Sequence, residues 1–285
     1  MALTTCIKQY LNKALRPLNI KLDSWTVNDL EMDRIRLFEE TRGFDTPVYA
    51  FSPGMEEYDA KFMSDAYKQY QSEIDRLKIP QLNDTGYSPG NNYFDSPDVE
   101  ALYCIVRYFK PSKVIEVGCG NSTRVTRQAV IDGGQDTEMI AIDPYPRADI
   151  SHLVDRFEQA RLESLHDQAL FTDFKENDIL FIDSSHEVRT ANDVAHLFCR
   201  IIPVLVPGVI IHVHDIFLPF EYPQDMAFPY PSWGEQYILH ALLSGGGYEI
   251  LWPGHYVQNL RQDLHGKLPF LAAGRAQSFW IRKTR

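Results

Sequence analysis

Glu116 stands two residues before Gly118 and four before Gly120 in the stretch VIEVGCGNSTRV, Val114 to Val125. A glycine-cornered turn between an apolar run and a helix start lets the backbone approach a ligand closely. The helix N-terminus beyond it, near Ser122, can take an anionic group. A dinucleotide fingerprint needs a third glycine at the position of Thr123, and no G-K-[ST] follows to make a phosphate-binding loop. A carboxylate at the mouth of such a turn repels a pyrophosphate and attracts a cation. S-adenosylmethionine, which carries an ammonium and a sulfonium but no phosphate, suits that corner. Asp143 ends the second apolar run, AIDPY, 23 residues after Gly120. An acid there can hold ribose hydroxyls of any ribosyl cofactor, or it can serve as a turn or cap residue. The residues expected to bind the cofactor are Glu116, Gly118, Cys119, Gly120, Ser122, Asp143, Pro144 and Asp183.

A second group follows two further apolar runs, DILFIDSSH and GVIIHVHDIF. Methyl transfer is an in-line displacement, and the enzyme must align an acceptor lone pair with the activated carbon. A hydroxyl acceptor must also lose its proton, which a histidine near neutrality can take or a divalent metal can release by acidifying the hydroxyl. Asp183, His186, His214 and Asp215 are the candidate catalytic residues, with His186 or His214 as base. Asp183 and Asp215 can instead hold Mg²⁺ among waters, because hard cations prefer carboxylate oxygens. His212 alternates onto the face of His214 and reads as a hydrogen-bonded core histidine. The HVHD spacing does not fit a zinc hydrolase. The aromatic, proline-rich stretch from Ile216 to Trp233 offers Phe217, Phe220, Tyr222 and Trp233 as a pocket wall or as cover for the sheet end.

These residues need elements to carry them. Apolar runs alternate with helical patterns from Lys113 onward, which predicts a doubly wound, mostly parallel α/β sheet covered on both faces. The strands are KVIEVG, EMIAID, a short one near ARLESL, DILFID and GVIIHVHD. Helices are expected over STRVTRQAVIDGG, near ISHLVDRFEQ, and over TANDVAHLFCRII. Ser96 is expected to cap the helix DVEALYCIVRYF with Pro97 at its first position. Ser232 and Glu235 stand in capping-box register before EQYILHALLS. YEILW and SFWIRK read as a closing antiparallel hairpin joined by a polar connection. Residues 1–90 are expected to form a mainly helical extension and residues 91–285 the catalytic domain. The amphipathic stretch from Met55 to Ile79 reads as a helix packed on the main domain, or as a lid or dimer arm.

The pieces VIEVGCGNST, IAIDPYP, DILFIDSSH and VPGVIIHVHDIFLPFEYP, in this order, resemble the class I S-adenosylmethionine-dependent methyltransferases. The match is closest to a bacterial group with IDSSH and HVHDIF motifs, and runs from about Asn91 to the end. The resemblance implies a seven-stranded Rossmann-like sheet with a reversed final hairpin, and cofactor roles for Glu116, Gly118, Gly120 and Asp143. Asp183 and Asp215 resemble the metal ligands of catechol-type O-methyltransferases, except that Ile216 stands where those enzymes place a further acid or amide. The expected activity is O-methylation of a small-molecule or sugar-like hydroxyl. The alternatives are a nicotinamide-dependent oxidoreductase and a non-catalytic cofactor-binding domain.

The bulk numbers agree with a globular enzyme. Twenty-eight Lys and Arg against 39 Asp and Glu give a net charge of −11, which argues against a nucleic-acid partner. The four cysteines are scattered without CxxC spacing, as expected in a reducing, cytoplasmic setting. The sequence shows no apolar leader and no 18-residue apolar run, so no membrane partner is expected.

Overall fold

The computed structural model describes residues 2–18, 25–165 and 168–285. In chain order its helices are α1 (Ala2–Leu15), α2 (Val27–Thr41), α3 (Lys61–Leu77), α4 (Asp98–Phe109), α5 (Asn121–Gly133), α6 (Asp193–His196), α7 (Gln224–Ala227), α8 (Glu235–Ser244) and α9 (Gly254–Leu260). The strands are β1 (Lys113–Val117), β2 (Glu138–Ile142), β3 (Arg156–Glu158), β4 (Ile179–Ile182), β5 (Ile210–Val213), β6 (Tyr248–Pro253) and β7 (Phe279–Lys283). Two compact units result: Met1–Thr46 with Pro223–Pro231, and Pro47–Tyr222 with Ser232–Arg285.

The larger unit is built on one seven-stranded sheet of order β3-β2-β1-β4-β5-β7-β6. Strands β1 to β5 are parallel, while β7 runs antiparallel to both β5 and β6. This is the expected doubly wound, mostly parallel, Rossmann-like sheet with its reversed final hairpin. Strands β4 and β5 are buried along their whole length, as strands covered on both faces must be. The strand order reverses between β1 and β4. Right-handed crossovers therefore leave in opposite directions there and open a crevice at the carboxyl ends. Helix α3 packs on α4, and α4 on α5. Lys283 ends β7 with its ammonium donating to the carbonyls of Ile202 and Pro203, at 3.0 and 2.7 Å, where a cation satisfies the last acceptors of a helix.

In the smaller unit α2 starts with a reciprocal capping box between Thr26 and Asp29. Phe44 packs edge-on to Phe38 at 5.2 Å and tilted against Phe228 at 6.4 Å. Gln224 donates to Glu39 at 2.6 Å. No helix among the described residues is long and apolar enough to cross a membrane.

Several local expectations are corrected. The third strand lies at Arg156–Glu158, inside the segment read as a helix, while ARLESL holds only a short helical turn at Leu162–Ser164. The helical spacing of Ile150 and Leu153 is satisfied by a small cluster with Ala141. Asp155 then accepts from Met139 N–H at 2.8 Å and from Arg127 at 3.0 Å, pinning the chain into an edge strand. Ser96 does not cap α4. Pro97 occupies the cap position, and the Ser96 hydroxyl donates to Glu100 at 3.0 Å. Ser232 does not cap α8: Gly234 does, and the serine hydroxyl donates to Glu187 at 2.5 Å. The helix expected over Thr190–Ile202 begins at Asp193, capped by the Asn192 side chain, and then widens into a π turn at Leu197–Ile201. The connection between β6 and β7 contains α9 and further helical turns where a polar loop was expected.

Candidate active site

The crevice is formed by the carboxyl ends of β1, β2, β4 and β5. The N–H of Gly118 continues the ladder by donating to Ile142 O at 2.9 Å, and Asp183 N–H donates to Val117 O at 2.9 Å. Gly118 has φ +82, and a Cβ built on it would lie 1.8 Å from the carbonyl oxygen of Asp183. This glycine is therefore required by the protein's own β4 end. Gly120 is the opposite case, because a Cβ there would meet nothing within 4 Å. Its face of the turn is open.

Glu116 does not reach freely into the crevice. It is 3% exposed, and its two oxygens accept from the hydroxyls of Ser122 and Thr123, the second at 2.5 Å. Thr123 in turn accepts from Gly120 N–H at 3.0 Å. The residue that breaks the dinucleotide fingerprint thus ties the acid to the turn. Burial pushes the Glu116 carboxyl up to about 8, helped by the charges of Asp183 and Asp143 and opposed by the two hydroxyls. A buried acid without a countercharge favours its neutral form, and an arriving cation would favour the charged one.

Asp143 accepts from Cys119 N–H at 3.1 Å and from Tyr145 N–H at 2.7 Å, with Pro144 half-buried between the two acceptor contacts. It joins the glycine turn to the β2 end. Burial and the nearby acids push the Cys119 thiol up, so it stays neutral.

Beyond β4 and β5 the chain gathers a denser group. The Nε2 atom of His186 lies 3.4 Å from Asp183 Oδ1 and 3.4 Å from Asp215 Oδ2, and its Nδ1 lies 3.0 Å from Glu235 Oε2. One candidate ligand atom from each of Asp183, His186 and Asp215 falls within 4.8 Å of the others. His186 and Asp215 both take left-handed backbone, φ 60 and φ 54, a conformation that costs energy and gathers at functional sites. Gln277 donates to Asp215 Oδ1 at 2.6 Å, leaving Oδ2 toward the imidazole. Burial lowers the pKa of His186, but Asp183, Glu235 and Asp215 outweigh it and hold the ring well above its ordinary value. Burial raises Asp183, and the imidazoles of His214, His186 and His212 overcome that and hold it below the carboxylate range.

Glu235 was read in the sequence only as a helix cap. It is fully buried, and its second oxygen has no partner among the described groups. A glutamate opening the apolar helix EQYILHALLS was the available signal, since buried charge is rare without a partner. The segment before it curls back on His186, whose carbonyl accepts from the N–H groups of Gly234 and Glu235 at 2.9 and 3.2 Å. Trp233 lies over the imidazole, centroids 4.4 Å apart.

His212 is fully buried, stacked 3.8 Å from Phe181 and 3.2 Å from Ser278 Oγ. Burial holds its pKa well below the ordinary value. It is a core histidine. His214 is buried beside Phe94, with Nε2 3.5 Å from Gln277, and is the first of the imidazoles that hold Asp183 low. Phe217, Phe220 and Tyr222 are buried and cover the sheet end, whereas Trp233 is half-buried. Glu221 accepts from Tyr49 and Tyr237, each at 2.5 Å, and from Gln236 at 3.1 Å, as an internal knot.

Two carboxylates and an imidazole converging on one point, with the far ring nitrogen held by a third carboxylate, are a fitting donor set for a divalent cation. A cation held there would acidify a hydroxyl bound to it.

Residues 115–216 match the family described as a methyltransferase domain. No curated protein matches the sequence. Among solved structures the chain is similar to an S-adenosylhomocysteine-bound methyltransferase of Podospora anserina, at 14% identity over 93% of this chain and 100% of that one, with a TM-score of 0.43. It is also similar to the O-methyltransferase TomG of Streptomyces achromogenes, at 13% identity over 92% and 100%, TM-score 0.42. An O-methyltransferase of Bacillus cereus gives 11% identity over 91% and 100%, TM-score 0.40.

Proposed function

We infer that the protein is an S-adenosylmethionine-dependent O-methyltransferase, acting on a small-molecule or sugar-like hydroxyl with a divalent cation such as Mg²⁺ at Asp183, His186 and Asp215. The observation that carries this reading is the contact between Gly118 and Asp183. The residue that packs against the cofactor corner also supplies a carboxylate to the acid–imidazole group. A methyl donor at the corner and an acceptor oxygen at the cluster would share one crevice. The methyltransferase-domain match over residues 115–216 supports it independently.

In the reaction the acceptor oxygen's lone pair forms the new O–C bond while the C–S electron pair leaves with sulfur, and the hydroxyl proton passes to water. The open face at Gly120 admits the donor's amino-acid end. Glu116 supplies a countercharge for its ammonium, and Asp143 accepts from the ribose hydroxyls. When bound, the cation would lower the pKa of the acceptor hydroxyl. Glu235 holds the proton on Nδ1 of His186, which turns Nε2 toward Asp183 and Asp215. The three carboxylates around the imidazole favour its charged form, which balances charge within the cluster. Calorimetry with S-adenosylhomocysteine, with and without Mg²⁺, tests the reading. Binding is expected, and a chain that took NADH but not S-adenosylhomocysteine would overturn it.

Glu116 gives a separate expectation. Its pKa is raised from 4.5 to about 8, so stability present below pH 4.5 is lost as pH rises toward and through 8. Glu116→Gln should flatten this slope and raise Tm at pH 8 by a few degrees. The same change should weaken S-adenosylhomocysteine binding at least tenfold. Thermal melts from pH 5 to 8 and titration calorimetry check both; a variant with wild-type affinity removes the glutamate from the donor site.

A further inference from the structure

The smaller unit carries two helices with uncovered apolar stripes among the described residues. On α1 and the turn after it, Ile7, Tyr10, Leu11 and Leu18 recur at helical spacing and are between 41% and 77% exposed. Helix α2 buries Ile35, yet Leu30 and Leu37, aligned along the helix seven residues apart, are 61% and 58% exposed. Single exposed leucines are ordinary, whereas aligned stripes on two helices of one unit mark an interface. Together the exposed side chains approach roughly the 800 Å² per partner that a standard interface covers.

Charge identifies the occupant. From Ala2 to Leu18 the chain has Lys8, Lys13 and Arg16 and no acid, a net +3. Helix α2 has Asp29, Glu31, Asp33, Glu39 and Glu40 against Arg34 and Arg36, five acids less two bases, or −3. Both arginines are paired within the helix, to Glu31 at 2.8 Å and to Asp33 at 3.0 Å. A two-fold axis that lays α1 of one copy on α2 of its partner matches apolar stripe to apolar stripe and base to acid, and does so twice. An anionic lipid surface would attract α1 but repel the acidic α2 and a chain of net charge −11.

We propose that the protein is a homodimer joined by reciprocal packing of α1 of each copy against α2 of the other. Sedimentation of the full chain at tens of micromolar should give twice the 32.9 kDa of one copy. Leu30→Asp with Leu37→Asp should yield a monomer with unchanged circular dichroism and unchanged S-adenosylhomocysteine affinity. Reversing α1 with Lys8→Glu, Lys13→Glu and Arg16→Glu should weaken the dimer at least tenfold, and adding Asp33→Lys with Glu40→Lys should restore it. A monomeric wild type overturns the proposal. So does a dimer that survives the leucine substitutions, a charge swap without rescue, or a monomer that pellets with phosphatidylglycerol vesicles.

Discussion

Gly118→Ala should destabilise the protein by at least about 3 kcal/mol, the range reached by forced contacts at special backbone positions. The added methyl would sit 1.8 Å from the Asp183 carbonyl oxygen and 2.8 Å from its carbon. That atom is backbone, and it is held, because Asp183 N–H donates to Val117 O at 2.9 Å and His214 N–H to Ile182 O at 2.9 Å. Relief would require parting β1 from β4 at their tips. The positive φ adds the left-handed cost of any residue with a Cβ. Gly120→Ala is the control. Its surroundings are open, so it should keep far more stability than Gly118→Ala yet hinder S-adenosylhomocysteine. Urea denaturation of both variants decides the matter: equal stabilities would mean that the corner yields far more easily than the geometry implies.

Asp183→Asn should lower turnover about 10²- to 10³-fold, comparable to loss of one preorganised electrostatic group. The amide keeps the shape and the backbone contact at Gly118. It removes one negative charge 3.4 Å from His186 Nε2 and one anionic ligand from the group with Asp215. The Mg²⁺ concentration for half-maximal rate should rise in step, because the proposed role of the carboxylate is to hold the cation. Affinity for S-adenosylhomocysteine should change less than tenfold. Glu235→Gln, whose acid is bonded to His186 Nδ1, should cost about 10- to 100-fold, the range for groups that orient a ligand. If Asp183→Asn retained full turnover, the cluster would be structural and the proposed chemistry would fail.

The parallel strands were plain in the sequence because both faces are apolar and the runs are short and bounded. The order of the sheet followed from the resemblance. Asp183, His186 and Asp215 could be named because each sits just past such a run. What could not be read was set by partners distant in the chain. Glu235 meets His186 across 49 residues and Gln277 meets Asp215 across 62, and no local pattern announces either pair. Residues 156–158 show the reverse failure: a helical spacing of apolar groups was real, but the edge-strand bonds to β2 decided the conformation. Ser96 and Ser232 look like helix caps by type, and each hydroxyl found an acid instead. Gly118 was recognised as a place of close backbone approach, but its contact with the Asp183 carbonyl, 65 residues on, had no local signal.

The loop from Ser232 to Glu235 holds His186 by its ring and by its carbonyl, and lays an indole over it. In the function proposed above, the acceptor wall and the ion-binding imidazole are therefore held by the same few residues. Reshaping that loop to admit a bulkier acceptor would also tilt the imidazole, so altered substrate range and altered ion affinity should be inherited together in any evolved variant.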